Sequence, residues 1–177
     1  MANISGMKSF ENLENYVVAL LAECGMTLAA AESCTGGLLA KRLTDVPGAS
    51  KVFPGGVVAY NAQSKTTLLG VDPSLIVEKG AVSREVALAM ADGARSRFGA
   101  DFGIGITGIA GPDSDDSGAE PGTVFIALSS SGHSCCRNLK LPGDREQVRS
   151  ASAAHALDMA RQHMVGGDDV DSGSMSG

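Results

Sequence analysis

Met26-Thr27-Leu28-Ala29-Ala30-Ala31 runs directly into Glu32-Ser33-Cys34-Thr35-Gly36-Gly37 and then into Leu38-Leu39-Ala40-Lys41-Arg42-Leu43. The first stretch is apolar and short, as a buried strand is. The last has the amphipathic spacing of a helix. Between them lies a turn of small, hydroxyl-bearing and glycine residues. Strand, tight turn and helix in that order are the repeating unit of an α/β fold. A turn of this kind presents backbone N–H groups at a helix start, where anions and oxyanions are stabilised. An N-cap needs only one such side chain. Ser33, Cys34 and Thr35 together with two glycines exceed that need, and the turn reads as a site.

Upstream, Leu13, Val17, Leu20 and Leu21 mark one helix face over Phe10 to Cys24, closed by Gly25. Downstream, a helix from about Gly36 to Val46 is stopped by Pro47-Gly48. A second buried strand lies within Phe53 to Tyr60, and Asn61 caps a helix through Leu69. Pro73 to Lys79 reads as a short helix, and Ser83 opens a long one over Arg84 to Phe98. Strands follow at Asp101 to Thr107, Thr123 to Ser129 and near Cys135 to Leu141. Pro142-Gly143-Asp144 then starts a final helix to about Met164. The alternation predicts a single-domain, three-layer α/β sandwich with a mixed central sheet flanked by helices. The domain spans residues 10–165, with a flexible segment over residues 1–9 and a disordered Gly, Ser and Asp tail over residues 166–177.

The 177 residues, 44% of them hydrophobic, suit one core. The net charge is -6, with Lys and Arg scattered, and aromatic residues make up 4%. Neither a nucleic-acid groove nor an anionic membrane surface is expected as partner. No apolar run approaches the roughly 20 residues of a membrane span. Residues 1–9 carry no signal-peptide core, so a cytoplasmic location is expected. Cys24, Cys34, Cys135 and Cys136 read as free thiols. His133, His155 and His163 have no ligand spacing, so neither metal nor cofactor is expected.

Ligands of α/β sheets bind beyond the carboxyl ends of the strands. Three small-residue turns follow strands here, Glu32 to Gly37, Tyr60 to Lys65 and Thr107 to Pro112, and their convergence would form one pocket. No histidine lies near them and no Gly-x-Ser-x-Gly elbow occurs, so a Ser-His-Asp triad is unsupported. What remains is a serine activated by a lysine. Lys65, in the first helical turns after Tyr60-Asn61, is the candidate base. A neutral amine requires its pKa to fall far below about 10.4, through burial or a helix N-terminus. Tyr60 ends a strand and could join a proton relay. Ser33, in the strand-end turn, and Ser50, in Pro47-Gly48-Ala49-Ser50, compete as nucleophile, and residue chemistry alone does not rank them. Thr107-Gly108-Ile109-Ala110-Gly111-Pro112 can serve as oxyanion hole or phosphate cradle, or as a plain connector. Asp113 to Asp116 read as a solvated acidic loop. Arg145 either contacts an anionic substrate or pairs with acidic neighbours.

Ala-Glu-Ser-Cys-Thr-Gly-Gly, Gly-Gly-Val-Val-Ala-Tyr-Asn with Lys65, Gly-Ala-Val-Ser at 80–83, Thr-Gly-Ile-Ala-Gly-Pro and Pro-Gly-Asp-Arg together resemble the carboxy-terminal domain of the CinA family. That domain also occurs alone as a nicotinamide-nucleotide amidohydrolase. The resemblance covers roughly residues 10 to 165, with one departure: the loop before Gly122-Thr123 lacks a residue often found between its proline and glycine. It implies hydrolysis of nicotinamide mononucleotide to nicotinic acid mononucleotide and ammonia. It favours Ser50 as nucleophile, with Lys65 and Tyr60 as activating partners. The substrate-binding set would be Ser33, Thr35, Gly36 and Gly37 on the first turn, Thr107, Gly108, Ala110 and Gly111 on the third, and Arg145. Helix N-termini after Gly36-Gly37 or Gly143-Asp144 are the expected phosphate sites. The partner is a small-molecule substrate and the expected assembly a homo-oligomer. Because some domains of the family have lost deamidase activity, the alternative is a catalytically silent nucleotide-binding or competence-associated regulatory module.

Overall fold

The computed structural model describes residues 12–114 and 118–166. The segments expected to be flexible or disordered lie outside them, apart from Gly166, which ends the last helix. The elements run α1 (Leu13–Cys24), β1 (Leu28–Glu32), α2 (Leu38–Thr44), a 3-10 helix (Ala49–Lys51), β2 (Gly55–Val58), α3 (Ala62–Leu69), α4 (Pro73–Lys79), α5 (Arg84–Phe98), β3 (Phe102–Gly108), β4 (Thr123–Ser130), β5 (His133–Lys140) and α6 (Arg145–Gly166).

The sheet order is β2-β1-β3-β4-β5. β1 pairs in parallel with β2 and β3, and β4 pairs antiparallel with β3 and β5. The chain leaves β1 for β2 at one edge, then crosses to β3 on the other side of β1. Such a reversal of winding opens a crevice at the carboxyl ends of the parallel strands.

Alternation along the strands builds the three layers. Leu28 and Ala30 of β1, with Ile104 and Ile106 of β3, face a layer of α1, α2 and α6 that contributes Val17, Leu21, Leu39, Leu43 and Leu157. Ala29 and Ala31 face the opposite layer, where Leu69 of α3 and Val86 and Met90 of α5 pack. On β3 the residues turned to α5 are Gly103 and Gly105, and a Cβ there would run into the carbonyls of Ala91 and Ala87. The Gly-Ile-Gly-Ile pattern thus lets one helix lie close on one face while isoleucines fill the other.

Two boundaries differ from the pattern reading. α2 begins at Leu38, because Gly36 and Gly37 adopt left-handed φ of 60° and 95° and stay outside it. β5 begins at His133, because Ser131-Gly132 form a two-residue hairpin pairing Ser130 with His133, with φ 83° at Gly132.

Candidate active site

The three strand-end turns meet at a cavity of about 300 Å³. Ser33 and Cys34 enter it from the first turn, Tyr60 and Lys65 from the second, and Thr107 to Gly111 from the third. Arg145, at the start of α6, closes one side.

Ser33 continues β1 by one residue, its N–H donating to the Ile106 carbonyl at 2.9 Å. Alternation sends Glu32 toward the α2 layer and Ser33 toward the α3 layer. Lys65 waits there, 2% exposed, on a helix started by the Asn61 side chain, which accepts from the Ser64 N–H at 2.8 Å. The Lys65 Nζ donates to Ser33 Oγ at 3.0 Å and to the Ala59 carbonyl at 3.0 Å. No carboxylate appears among these partners. Burial lowers the Lys65 pKa from its ordinary value, opposed only by the neighbouring Cys34. Burial pushes the Cys34 thiol up to about 11, and Glu32 adds to the rise. Its own N–H, Lys65 and the Thr35 N–H pull the other way. Of these two adjacent residues, it is the Ser33 hydroxyl that accepts from the amine, while burial favours the protonated Cys34 thiol.

Ser50 is not in this cavity. It is exposed on the 3-10 helix, and two residues later the Val52 carbonyl accepts from the Leu28 N–H at 2.8 Å, at the amino end of β1. The reason is topological. β1 and β2 are parallel, so the connection between them must return to the amino end before β2 starts. The five residues of β1, at about 3.3 Å each, put roughly 16 Å of strand between the two serines. The pairing of Ser50 with Lys65 and Tyr60 is therefore corrected: the serine at Lys65 is Ser33.

Tyr60 differs from its expected place too. It is 59% exposed at the rim, and its hydroxyl accepts from Arg145 at 2.7 Å. The same guanidinium donates to the Gly111 carbonyl at 2.8 Å. Arg145 thus ties the second turn to the third across the cavity mouth, in place of a Tyr60–Lys65 relay or an acidic partner.

Both helix N-termini expected to take an anion are capped by an acidic side chain of the chain itself. Glu32, 1% exposed, turns its carboxylate onto α2 and accepts from the N–H groups of Gly37 at 3.0 Å, Leu39 at 3.1 Å and Ala40 at 2.8 Å. At α6, Asp144 accepts from the Gln147 N–H at 2.9 Å while the Gln147 side chain accepts from the Asp144 N–H at 2.9 Å. This reciprocal cap occupies the N–H groups of Asp144 and Gln147. Thr35, Gly36 and Gly37 stand behind the cavity wall. The Thr35 carbonyl accepts from Arg149 at 2.8 Å, and its buried hydroxyl has no partner among the described residues.

On the third turn, Thr107 donates to the Ala81 carbonyl at 2.8 Å, and the Ile109 N–H is taken by the Thr123 carbonyl at 2.9 Å. Ala110 and Gly111 complete that part of the wall. Pattern reading missed Cys34 as a wall residue, the Ala81-Val82 segment that precedes the Ser83 cap of α5, and Asp113, which lies on the wall rather than in a purely solvated loop. Asp115 and Asp116 lie outside the described residues. Among the described residues, no cluster of His, Cys, Asp or Glu is arranged to hold a metal ion, and no helix is long and apolar enough to cross a membrane.

Fold and cavity define an α/β domain that buries a lysine-held serine at the carboxyl edge of its parallel strands. The family model of the CinA C-terminal domain matches residues 10–164, and the chain belongs to that family. It is 48% identical over 167 residues to a CinA-like protein of Desulfovibrio desulfuricans and 47% identical over 156 residues to one of Frankia casuarinae, covering 93% and 88% of this chain. It spans only 38% and 36% of those proteins' lengths. Among solved structures, competence/damage inducible protein CihA from Agrobacterium tumefaciens shares 35% identity with a TM-score of 0.82, covering 90% of this chain and 96% of that one. Competence damage-inducible protein A from Klebsiella pneumoniae shares 28% identity with a TM-score of 0.87, covering 91% of this chain and 100% of that one.

Proposed function

We propose that this domain hydrolyses the carboxamide of nicotinamide mononucleotide to nicotinic acid mononucleotide and ammonia, with Ser33 as nucleophile and Lys65 as its base. The observation that carries the reading is the 3.0 Å contact between a buried lysine and the hydroxyl of a strand-end serine, open to a cavity sized for a small molecule. Because burial favours the neutral amine, Lys65 can take the Ser33 proton as Oγ attacks the carboxamide carbon. Lys65 then returns that proton to the departing nitrogen, releasing ammonia and leaving an ester on Ser33. Water, deprotonated by the same amine, attacks the ester carbon, the C–Oγ bond breaks, and Lys65 returns the proton to Ser33 Oγ as the carboxylate product leaves.

The oxyanion of each tetrahedral intermediate needs N–H donors, and the glycine-rich main chain at Ala110-Gly111 is the candidate supply. With both helix N-termini self-capped, the phosphate falls to Arg145, the cation on the cavity wall. Tyr60, held by that guanidinium, lines the entrance as a binding residue.

Ammonia release from nicotinamide mononucleotide by the purified chain, with and without EDTA, tests the reading. Turnover that survives the chelator is expected. Saturable nucleotide binding without ammonia release would instead identify a silent regulatory module.

A further inference from the structure

The geometry points to Glu32 as the positioning residue that holds Ser33 against Lys65, an inference that rests on Ser33 being the nucleophile. Glu32 and Ser33 are consecutive, and strand alternation sends their side chains into opposite layers. One side chain anchors the turn from below while the other enters the cavity. The anchoring is thorough. Of the N–H groups from Ser33 to Ala40, three end on this one carboxylate: Gly37 and Leu39 on Oε2, and Ala40 on Oε1. Ser33 donates to the Ile106 carbonyl, Gly36 to the Ser33 carbonyl and Leu38 to the Thr35 carbonyl. The turn is therefore pinned at one end by β3 and at the other by Glu32.

Between those pins stand Gly36 and Gly37, both left-handed, the most permissive backbone in the loop. Without the carboxylate, the hydrogen bond that spans that pair among the described residues is the 3.3 Å one from the Leu38 N–H to the Thr35 carbonyl, which Arg149 also holds from α6. A small rotation there moves Ser33 Oγ off the 3.0 Å contact, and proton transfer is steep in that distance. A glutamate capping a helix from eight to five residues upstream is also longer-range than an ordinary N-cap, where the capping residue abuts the first turn. The arrangement serves the loop between strand and helix, not only the helix.

The decisive readout is Ser33 reactivity, measured independently of any nucleotide substrate. A fluorophosphonate probe forms an Oγ–P bond with loss of fluoride, the hydroxyl proton passing to Lys65, and peptide mapping identifies the labelled residue. Glu32→Gln keeps the shape but turns an N–H donor toward one of the three backbone donors. Labelling of Ser33 is expected to slow at least tenfold, at a temperature where circular dichroism shows the variant folded. With nicotinamide mononucleotide, kcat should fall by a similar factor while KM stays within about twofold. A cap with a purely structural role predicts labelling and kcat that follow the folded fraction alone. Glu32→Asp, which keeps the charge but withdraws it by one methylene, carries the same readouts if the glutamine variant does not fold, and the same loss is expected. Wild-type labelling rates in a folded variant overturn the positioning role. A wild-type protein that labels elsewhere than Ser33 overturns the nucleophile reading and the positioning role with it. Labelling at Ser33 without ammonia release overturns only the proposed substrate.

Discussion

The two ends of β1 carry opposite chemistry. At the carboxyl end, Glu32, Ser33, Thr35 and Lys65 are all buried, with exposures of 1%, 7%, 0% and 2%. At the amino end, Thr27 and Asp101 exchange exposed hydrogen bonds, and Ser50 lies open to solvent nearby. Removing polar groups from water costs free energy unless each finds a partner, and a buried ammonium costs most. A fold that accepts this at one end of a strand and avoids it at the other has concentrated its chemistry at the first. A serine on a turn is ordinary; a serine held by a buried lysine is not.

The sharpest way to break that contrast is to remove each serine in turn. Ser33→Ala should cut ammonia release by at least about 10³-fold, the scale of losing a nucleophile. Ser50→Ala should stay within twofold, since it touches nothing in the cavity. Inverted results would return the nucleophile to the exposed end.

Lys65→Arg should lose about 10²- to 10⁴-fold, close to Lys65→Ala, although it keeps the charge. Arginine cannot be deprotonated in a protein, so it cannot accept the serine proton. Arginine retaining most of the rate would mean that Lys65 acts as a fixed cation.

The strand–turn–helix unit around Ser33, the caps at Asn61 and Ser83 and the three converging turns were legible in the sequence, because each is a local signal with one physical cause. Which serine meets Lys65 was not. Ser50 and Lys65 are close along the chain, but parallel pairing of β1 and β2 sends them to opposite ends of the sheet, and no local pattern reports that. Strand registers also decide that Glu32 faces α2, so the helix N-terminus that composition offers to a phosphate is already filled. The pairing of Tyr60 was not legible for a related reason: its partner Arg145 lies 85 residues away in sequence.

A smaller effect follows from titration. Because burial lowers the Lys65 pKa below 10.5, kcat/KM should rise with pH and level off below that value. The sign for stability is the same. Between the folded and unfolded pKa values the unfolded chain binds a proton that the native state does not, so this group makes the fold more stable as pH rises through that window and less stable as it falls. Denaturant midpoints of wild type and Lys65→Met, compared from neutral to alkaline pH, should show wild type gaining. A parallel pair of curves would mean that the amine is charged in the native cavity.

The smallest effect separates two of the four thiols, Cys24 and Cys34. Alkylation runs through the thiolate, so its rate follows both exposure and pKa. Cys24 is exposed at the end of α1, whereas Cys34 is buried beside Ser33 with its pKa pushed up to about 11. At pH 8, only on the order of one Cys34 thiol in a thousand would be ionised even if reagent reached it. Iodoacetamide should therefore modify Cys24 first and leave Cys34 unmodified while the protein stays folded, with ammonia release unchanged, as peptide mass mapping would show. Denaturation should expose Cys34 to the reagent. Rapid native labelling of Cys34 with loss of turnover would mean an ionised thiol on the cavity wall, and it would make Cys34 a rival to Ser33 for the nucleophile's place.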